Sequence, residues 1–187
     1  MKLFFDTETT GKCITGSGPD DPLQPRIVQF AGLLTSDEGE EVAAFDLIVK
    51  PDGWDVPLDA AMIHGITTEK ALASGVSILS VLSVFSGMCR QADTLIAHNI
   101  DFDYLVAESE YHRAGKMHRM GTLTRFCTMK AATNVCKIPG PRGYKWPKLT
   151  EAHRHLLGTE LENAHDAMSD VRGCARIYFE MLKQGAL

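Results

Sequence analysis

The first concentration of apolar residues, Lys2 to Asp6, is short and ends on a carboxylate, the pattern of a buried central strand entering an acidic turn. Gly11 to Pro25 is rich in Gly, Pro and Asp and predicts a loop. Arg26 to Leu34 and Val42 to Val49 read as strands on either side of the polar turn Ser36-Asp37-Glu38-Gly39, giving an antiparallel three-strand meander. Pro51 to Thr67 is turn-rich, with one short helix over Leu58 to Ile63. Ile78, Val81, Leu82, Phe85 and Met88 recur at helical spacing and predict a helix over Ser77 to Arg90. A strand at Thr94 to Ala97, a helix from Phe102 to Ala114 and a strand at Arg125 to Thr128 follow. Pro139 to Pro147, with three prolines and two glycines, reads as a loop; helices over Leu149 to Leu157 and Asp166 to Lys183 close the chain. Strands first and helix–strand alternation afterwards predict an α/β fold: a mixed five-stranded sheet flanked by helices, in one domain over residues 1–187.

Composition narrows the class. No apolar run approaches the ~20 residues that span a bilayer, and an acidic residue at position 6 interrupts any leader-like apolar segment. Cys13, Cys89, Cys127, Cys136 and Cys174 form no CxxC pair and no zinc spacing, so reduced thiols in a cytoplasmic, intracellular setting are expected. The net charge of −5 speaks against a polyanionic partner until its distribution is read. From Tyr111 to Thr150 there is no Asp or Glu, while nine Lys and Arg residues give the block +9 and leave the remainder at −14. A basic block beside an acidic remainder is the footprint of a polyanion held next to a carboxylate metal site; a solvated Lys/Arg surface is the plainer alternative.

Three clusters carry chemistry. Asp6 and Glu8 stand two apart at the end of the first strand, so an extended chain puts both carboxylates on one face. Like charges that close resist joint ionisation unless a cation lies between them, and hard oxygen ligands suit Mg²⁺ or Mn²⁺. Gly11 is expected to let the chain turn sharply beside a ligand. The second cluster, His98-Asn99-Ile100-Asp101-Phe102-Asp103, spans a strand-to-helix junction, where sites gather in α/β sheets. Either Asp101 or Asp103 could cap the helix, and His98 could be a hydrogen-bonded core residue. In the third, His165 and Asp170 lie about 140° apart on a helical wheel. They face one point only if His165 precedes the helix and Asp170 reaches in from the second turn, with Asp166 as the cap.

Taken in order, Asp6-Thr7-Glu8-Thr9, His98-Asn99-Ile100-Asp101-Phe102-Asp103 and His165 to Asp170 resemble the three motifs of the DnaQ-like DEDD exonucleases, subclass DEDDh. Ile63-His64-Gly65-Ile66-Thr67 resembles that family's loop beside the nucleotide pocket, and the likeness runs from residue 2 to about 180. The resemblance implies a ribonuclease-H-like fold and a 3′→5′ exonuclease that releases nucleoside monophosphates from single-stranded or frayed DNA ends. It selects Asp103 over Asp101 and Asp170 over Asp166. Asp6, Glu8, Asp103 and Asp170 are then the ligands of two divalent cations, Mg²⁺ with Mn²⁺ as substitute, and His165 is the general base. Thr7, Thr9, His64, Asn99 and Phe102 fall at its positions around the terminal nucleotide.

Two rival readings remain. The same residues suit an exonuclease that trims RNA 3′ ends or degrades oligoribonucleotides, since that choice rests on contacts to the 2′ position. Gly143 to Leu149 offers aromatic and cationic side chains suited to a single strand and resembles a segment of polymerase-III-epsilon-like and phage-type exonucleases, which favours DNA. A non-catalytic nucleic-acid-binding or polymerase-associated module is disfavoured because all five demanding positions are present. Few residues follow the last predicted helix, so a stand-alone enzyme, or one whose replication partner touches its globular surface, is expected.

Overall fold

The computed structural model describes residues 1–187. Strands β1 (Lys2–Thr9), β2 (Ile27–Thr35) and β3 (Glu41–Ile48) form the meander, and β4 (Thr94–Ala97) and β5 (Thr124–Cys127) extend it into one sheet, in the order β3-β2-β1-β4-β5. β1 pairs antiparallel with β2 and parallel with β4, so the sheet is mixed and β1 lies at its centre. The helices are α1 (Leu58–His64), α2 (Thr68–Ser74), α3 (Ile78–Cys89), α4 (Ile100–Arg113), α5 (Thr128–Cys136), α6 (Leu149–Leu157) and α7 (Ala167–Lys183).

Period-two alternation divides β1 between two cores. Leu3 and Phe5 enter a cluster with Phe85 of α3 and Val106 and Tyr111 of α4. Phe4 points the other way, into a cluster with Val171, Cys174 and Tyr178 of α7. The same parity carries forward to the strand's end: Asp6 and Glu8 continue the side of Phe4, towards α7, and Thr7 continues the side of Phe5, towards α4. With both faces covered, β2 is buried along its whole length, which is why it reads as a nearly continuous apolar run. Gly32 has a steric reason to be glycine, because an added Cβ would run into the Phe45 ring.

Several elements depart from the pattern. β1 runs on to Thr9 because β2 still pairs with it there, through a register shift between Glu8 and Thr9. A bulge at that place re-aims the strand end. α4 starts at Ile100, two residues early, since Asn99 takes a left-handed conformation (φ 79°) that turns the chain directly into the helix. α2 and α5 were not legible. α2 buries only Ala71, and α5 buries Thr128, Ala132 and Cys136, a stripe too small and polar to stand out. Within the expected loop at Pro139 to Pro147 a short ladder forms between β6 (Pro139–Gly140) and β7 (Gly143–Tyr144). The chain bends at Thr10 and Gly11, as expected, but Gly11 has no left-handed φ and open space around it, so the bend does not depend on glycine. All five cysteines are free, and no helix is long and apolar enough to cross a membrane.

Candidate active site

The C-terminal end of the central strand β1 and the N-terminal ends of α4 and α7 meet, and each delivers acidic side chains. Asp6 and Glu8 come from β1, Asp103 from α4 and Asp170 from α7. Asp103 is 3% exposed, and Thr7 donates both its backbone N–H and its hydroxyl to Asp103 Oδ1. Asp101, two residues earlier, is exposed and pairs with Lys130 at 2.6 Å. Neither caps α4, because Asn99 occupies that position.

Every one of the four carboxyls resists ionisation. Burial, followed by repulsion from Asp103, Asp170 and Glu8, holds Asp6 well above the usual carboxylate range. Burial and the neighbouring Asp170 and Asp103 push Glu8 up to about 8. Burial raises Asp103 to about 7 against the opposing pull of the Thr7 hydrogen bonds. Asp170 rises to about 6, again chiefly through burial. Such a set lacks positive charge, which a divalent cation supplies.

The local geometry fits such an ion. Glu8, His165 and Asp170 each place one ligand atom so that all three lie within 4.8 Å of one another. Asp170 Oδ1 is buried without a hydrogen-bond partner, an acceptor that a cation would satisfy. Asp6 and Asp103 are not part of this trio. Carboxylate oxygens are the hard donors that suit Mg²⁺ or Mn²⁺, and the imidazole of His165 stands beside them.

His165 is exposed and precedes α7 in a left-handed conformation (φ 69°). Its backbone N–H turns back to donate to Asp170 Oδ2 at 3.3 Å. Asp166 caps the helix, accepting from the Ser169 N–H at 3.0 Å. Because the helix opens only at Ala167, Asp170 stands in its first turn and not, as the spacing suggested, in its second.

A residue that the sequence motifs do not include holds this corner in place. Gln29 of β2 sits opposite Glu8 and is 5% exposed. Its amide nitrogen donates to Asp46 (2.7 Å) and to the helix-capping Asp166 (3.2 Å), and its oxygen accepts from the Ala167 N–H (3.4 Å). One buried amide thus fixes the start of α7, and with it His165 and Asp170. The available signal was a lone polar residue inside an apolar strand run, opposite a motif carboxylate.

His98 takes a structural part. A carbonyl can only accept, so Nε2–H donates to the Pro147 carbonyl (2.9 Å) and Nδ1 accepts from the Thr128 hydroxyl (3.0 Å). Burial lowers its pKa and favours this neutral form. The ring fastens the segment before α6 to the end of β4.

Thr7, Thr9, His64 and Phe102 line one cleft of about 480 Å³ together with Glu8 and Ile63; Asn99 is not among its lining residues. Thr7 contributes there while its hydroxyl is committed to Asp103. His64 Nδ1 accepts from the Ile66 N–H at 3.2 Å, which leaves the neutral ring's proton on Nε2, a buried donor with no partner.

The basic block is less concentrated than its sequence suggests. Arg113 pairs with buried Glu110 at 3.2 Å and binds the Pro25 and Gln24 carbonyls. Lys130 is taken up by Asp101 and Lys145 by Glu151, and Arg125 stacks on Tyr104. Its partners come largely from acidic residues outside the block, which a count along the chain cannot show.

A family model described as Exonuclease, RNase_T, matches residues 3–178. The uncharacterized exonuclease CP81 of Escherichia phage 186 is 25% identical over 203 residues, spanning 99% of this chain and 90% of its own length. Among solved structures, E. coli Exonuclease I in complex with a dT13 oligonucleotide superposes with a TM-score of 0.75 at 22% identity, covering 97% of this chain and 40% of that one. A zinc-bound form of the E. coli ExoI–ssDNA complex gives 0.70 at 23%, covering 98% and 40%. The chain therefore spans about two fifths of the length of these Exonuclease I chains, and with them it shares the ribonuclease-H-like exonuclease fold.

Proposed function

Starting from its place in the RNase_T exonuclease family, to which the chain belongs, we propose that it is a divalent-metal-dependent 3′→5′ exonuclease acting on single-stranded or frayed DNA ends and releasing nucleoside monophosphates. The observation that carries this reading is the meeting of Asp6, Glu8, Asp103 and Asp170, all held above their usual pKa, with His165 beside a nucleotide-sized cleft. The four carboxylates would hold two Mg²⁺ ions, which when bound supply positive charge for the attacking and the leaving oxygen of the phosphodiester.

The protein's own groups do the rest. His165, exposed and just outside α7, takes the proton of the attacking water. Thr7 holds Asp103, and Gln29 with Asp166 holds the start of α7. Thr9, Phe102 and the spare Nε2–H of His64 offer packing and a hydrogen bond to the terminal nucleotide in the cleft. DNA is preferred as substrate because the Exonuclease I relatives hold dT13 and dA16 oligonucleotides.

End-labelled strands test the polarity. With Mg²⁺, a 5′-labelled single-stranded DNA should shorten to a ladder and a 3′-labelled one should lose its label at once as a mononucleotide; EDTA should stop both. Label released first from the 5′ end, or cleavage indifferent to EDTA, overturns the proposal. Preferential degradation of an RNA strand of equal sequence transfers it to 3′-end trimming of RNA.

A further inference from the structure

The cleft beside the carboxylates accommodates a terminal nucleotide, yet a strand being shortened continues beyond it. Joined to the site's helix through the His98–Pro147 hydrogen bond is the turn formed by β6 and β7, closed at its base by the Lys145 N–H donating to the Ile138 carbonyl at 2.9 Å. Two large aromatics lie open on it: Tyr144 is 53% and Trp146 61% exposed. Around them Lys137, Arg142 and Lys148 form no salt bridge, whereas Lys145 is bound to Glu151. The turn is also anchored. Pro147, the residue after Trp146, accepts from His98, and His98 is followed by Asn99 and the helix that carries Phe102 and Asp103. Exposed aromatics with unpaired cations, tied by the half-buried His98 to the helix bearing a site carboxylate, suit a polyanion with flat bases better than a protein surface.

We propose that Tyr144 and Trp146, with Lys137, Arg142 and Lys148 around them, form a second contact for single-stranded nucleic acid, upstream of the nucleotide being removed. Bases stack on the two rings while the cations meet the phosphates, a sequence-tolerant mode that suits an enzyme moving along a strand. The inference rests on the exonuclease reading for its direction, but its binding test does not depend on cleavage.

Trp146 and Trp54 are the only tryptophans, so a Trp54→Phe protein makes Trp146 the sole indole reporter. In EDTA, a dT15 oligonucleotide should quench Trp146 emission saturably, and dTMP should not. Arg142→Glu should weaken that binding severalfold and flatten its dependence on salt. In Mg²⁺, the double variant Tyr144→Ala, Trp146→Ala should lower kcat/KM for a 15-mer about tenfold more than for a dinucleotide, in keeping with base–aromatic stacking. Emission unchanged by dT15, or an unaltered ratio of long- to short-strand kcat/KM, overturns the contact. If wild-type protein hydrolyses no strand at all, the exonuclease reading fails, and the quenching experiment still decides this contact by itself.

Discussion

Thr7 donates its backbone N–H at 3.0 Å and its hydroxyl at 2.8 Å to the same oxygen of Asp103. The pair links neighbouring ranks of the site: strand parity turns Thr7 away from Asp6 and Glu8 and towards α4, so the residue between two carboxylates secures a third. Its effect on Asp103 is to favour the ionised form against burial. Thr7→Val keeps the volume and the N–H but removes the hydroxyl. A hydrogen bond to a charged group contributes about 1.5–3 kcal/mol, so the Mg²⁺ concentration for half-maximal rate should rise at least about tenfold. Thr7→Ser should restore it. An unchanged Mg²⁺ titration contradicts this positioning role.

The raised carboxyls also set how stability follows pH. With Glu8 near 8, Asp103 near 7 and Asp170 near 6, the metal-free folded protein retains protons that the unfolded chain has already released. Ordinary carboxyls titrate near about 4. Between that value and about 8 these carboxyls hold more protons in the native state, and their contribution to stability falls as pH rises. The metal-free Tm should therefore drop steadily from pH 5 to pH 8. Mg²⁺ binds the ionised set, so its stabilising effect should grow over the same range. Thermal melts in EDTA and in Mg²⁺ check both; a metal effect that shrinks with rising pH contradicts the assignment.

Gln29→Leu removes the amide that joins Asp46, Asp166 and the first N–H of α7. Leaving such buried groups unpaired costs about 1–3 kcal/mol. The larger expected change is in kcat, because His165 and Asp170 lose their fixed platform while the nucleotide cleft does not. Steady-state kinetics should show kcat reduced and KM little altered; a loss confined to Tm would assign Gln29 a purely structural role.

For His165→Asn the expectation is a rate loss of about 10²–10⁴-fold, the usual contribution of a general base. The Mg²⁺-induced rise in Tm should largely remain, since four carboxylates are untouched. A variant with near-wild-type turnover removes His165 from the mechanism.

The sheet and the long helices were legible because their apolar periodicities are strong, as Ile78 to Met88 and the run of β2 show. α5 was not, since it is short and its buried residues, Thr128, Ala132 and Cys136, include no large apolar side chain to mark a helix face. Spacing alone left Asp101 and Asp103 equivalent. The fold separates them by burial and partner, one facing Lys130 and solvent, the other enclosed against Thr7. His98, which the sequence allowed as a hydrogen-bonded core residue, takes that part and is consumed in holding Pro147 and Thr128. Gln29 acts through contacts 137 and 138 residues away along the chain, a separation that no local pattern encodes.

The most direct test of the central claim is the activity of Asp6→Asn on a 5′-labelled single-stranded DNA in Mg²⁺. Asp6 sits among Asp103, Asp170 and Glu8, whose repulsion raises its pKa. Neutralising it should leave the protein folded, with an unchanged or higher metal-free Tm, and abolish the ladder of shortened strands. A folded Asp6→Asn protein that still shortens the strand at the wild-type rate would contradict the four-carboxylate site.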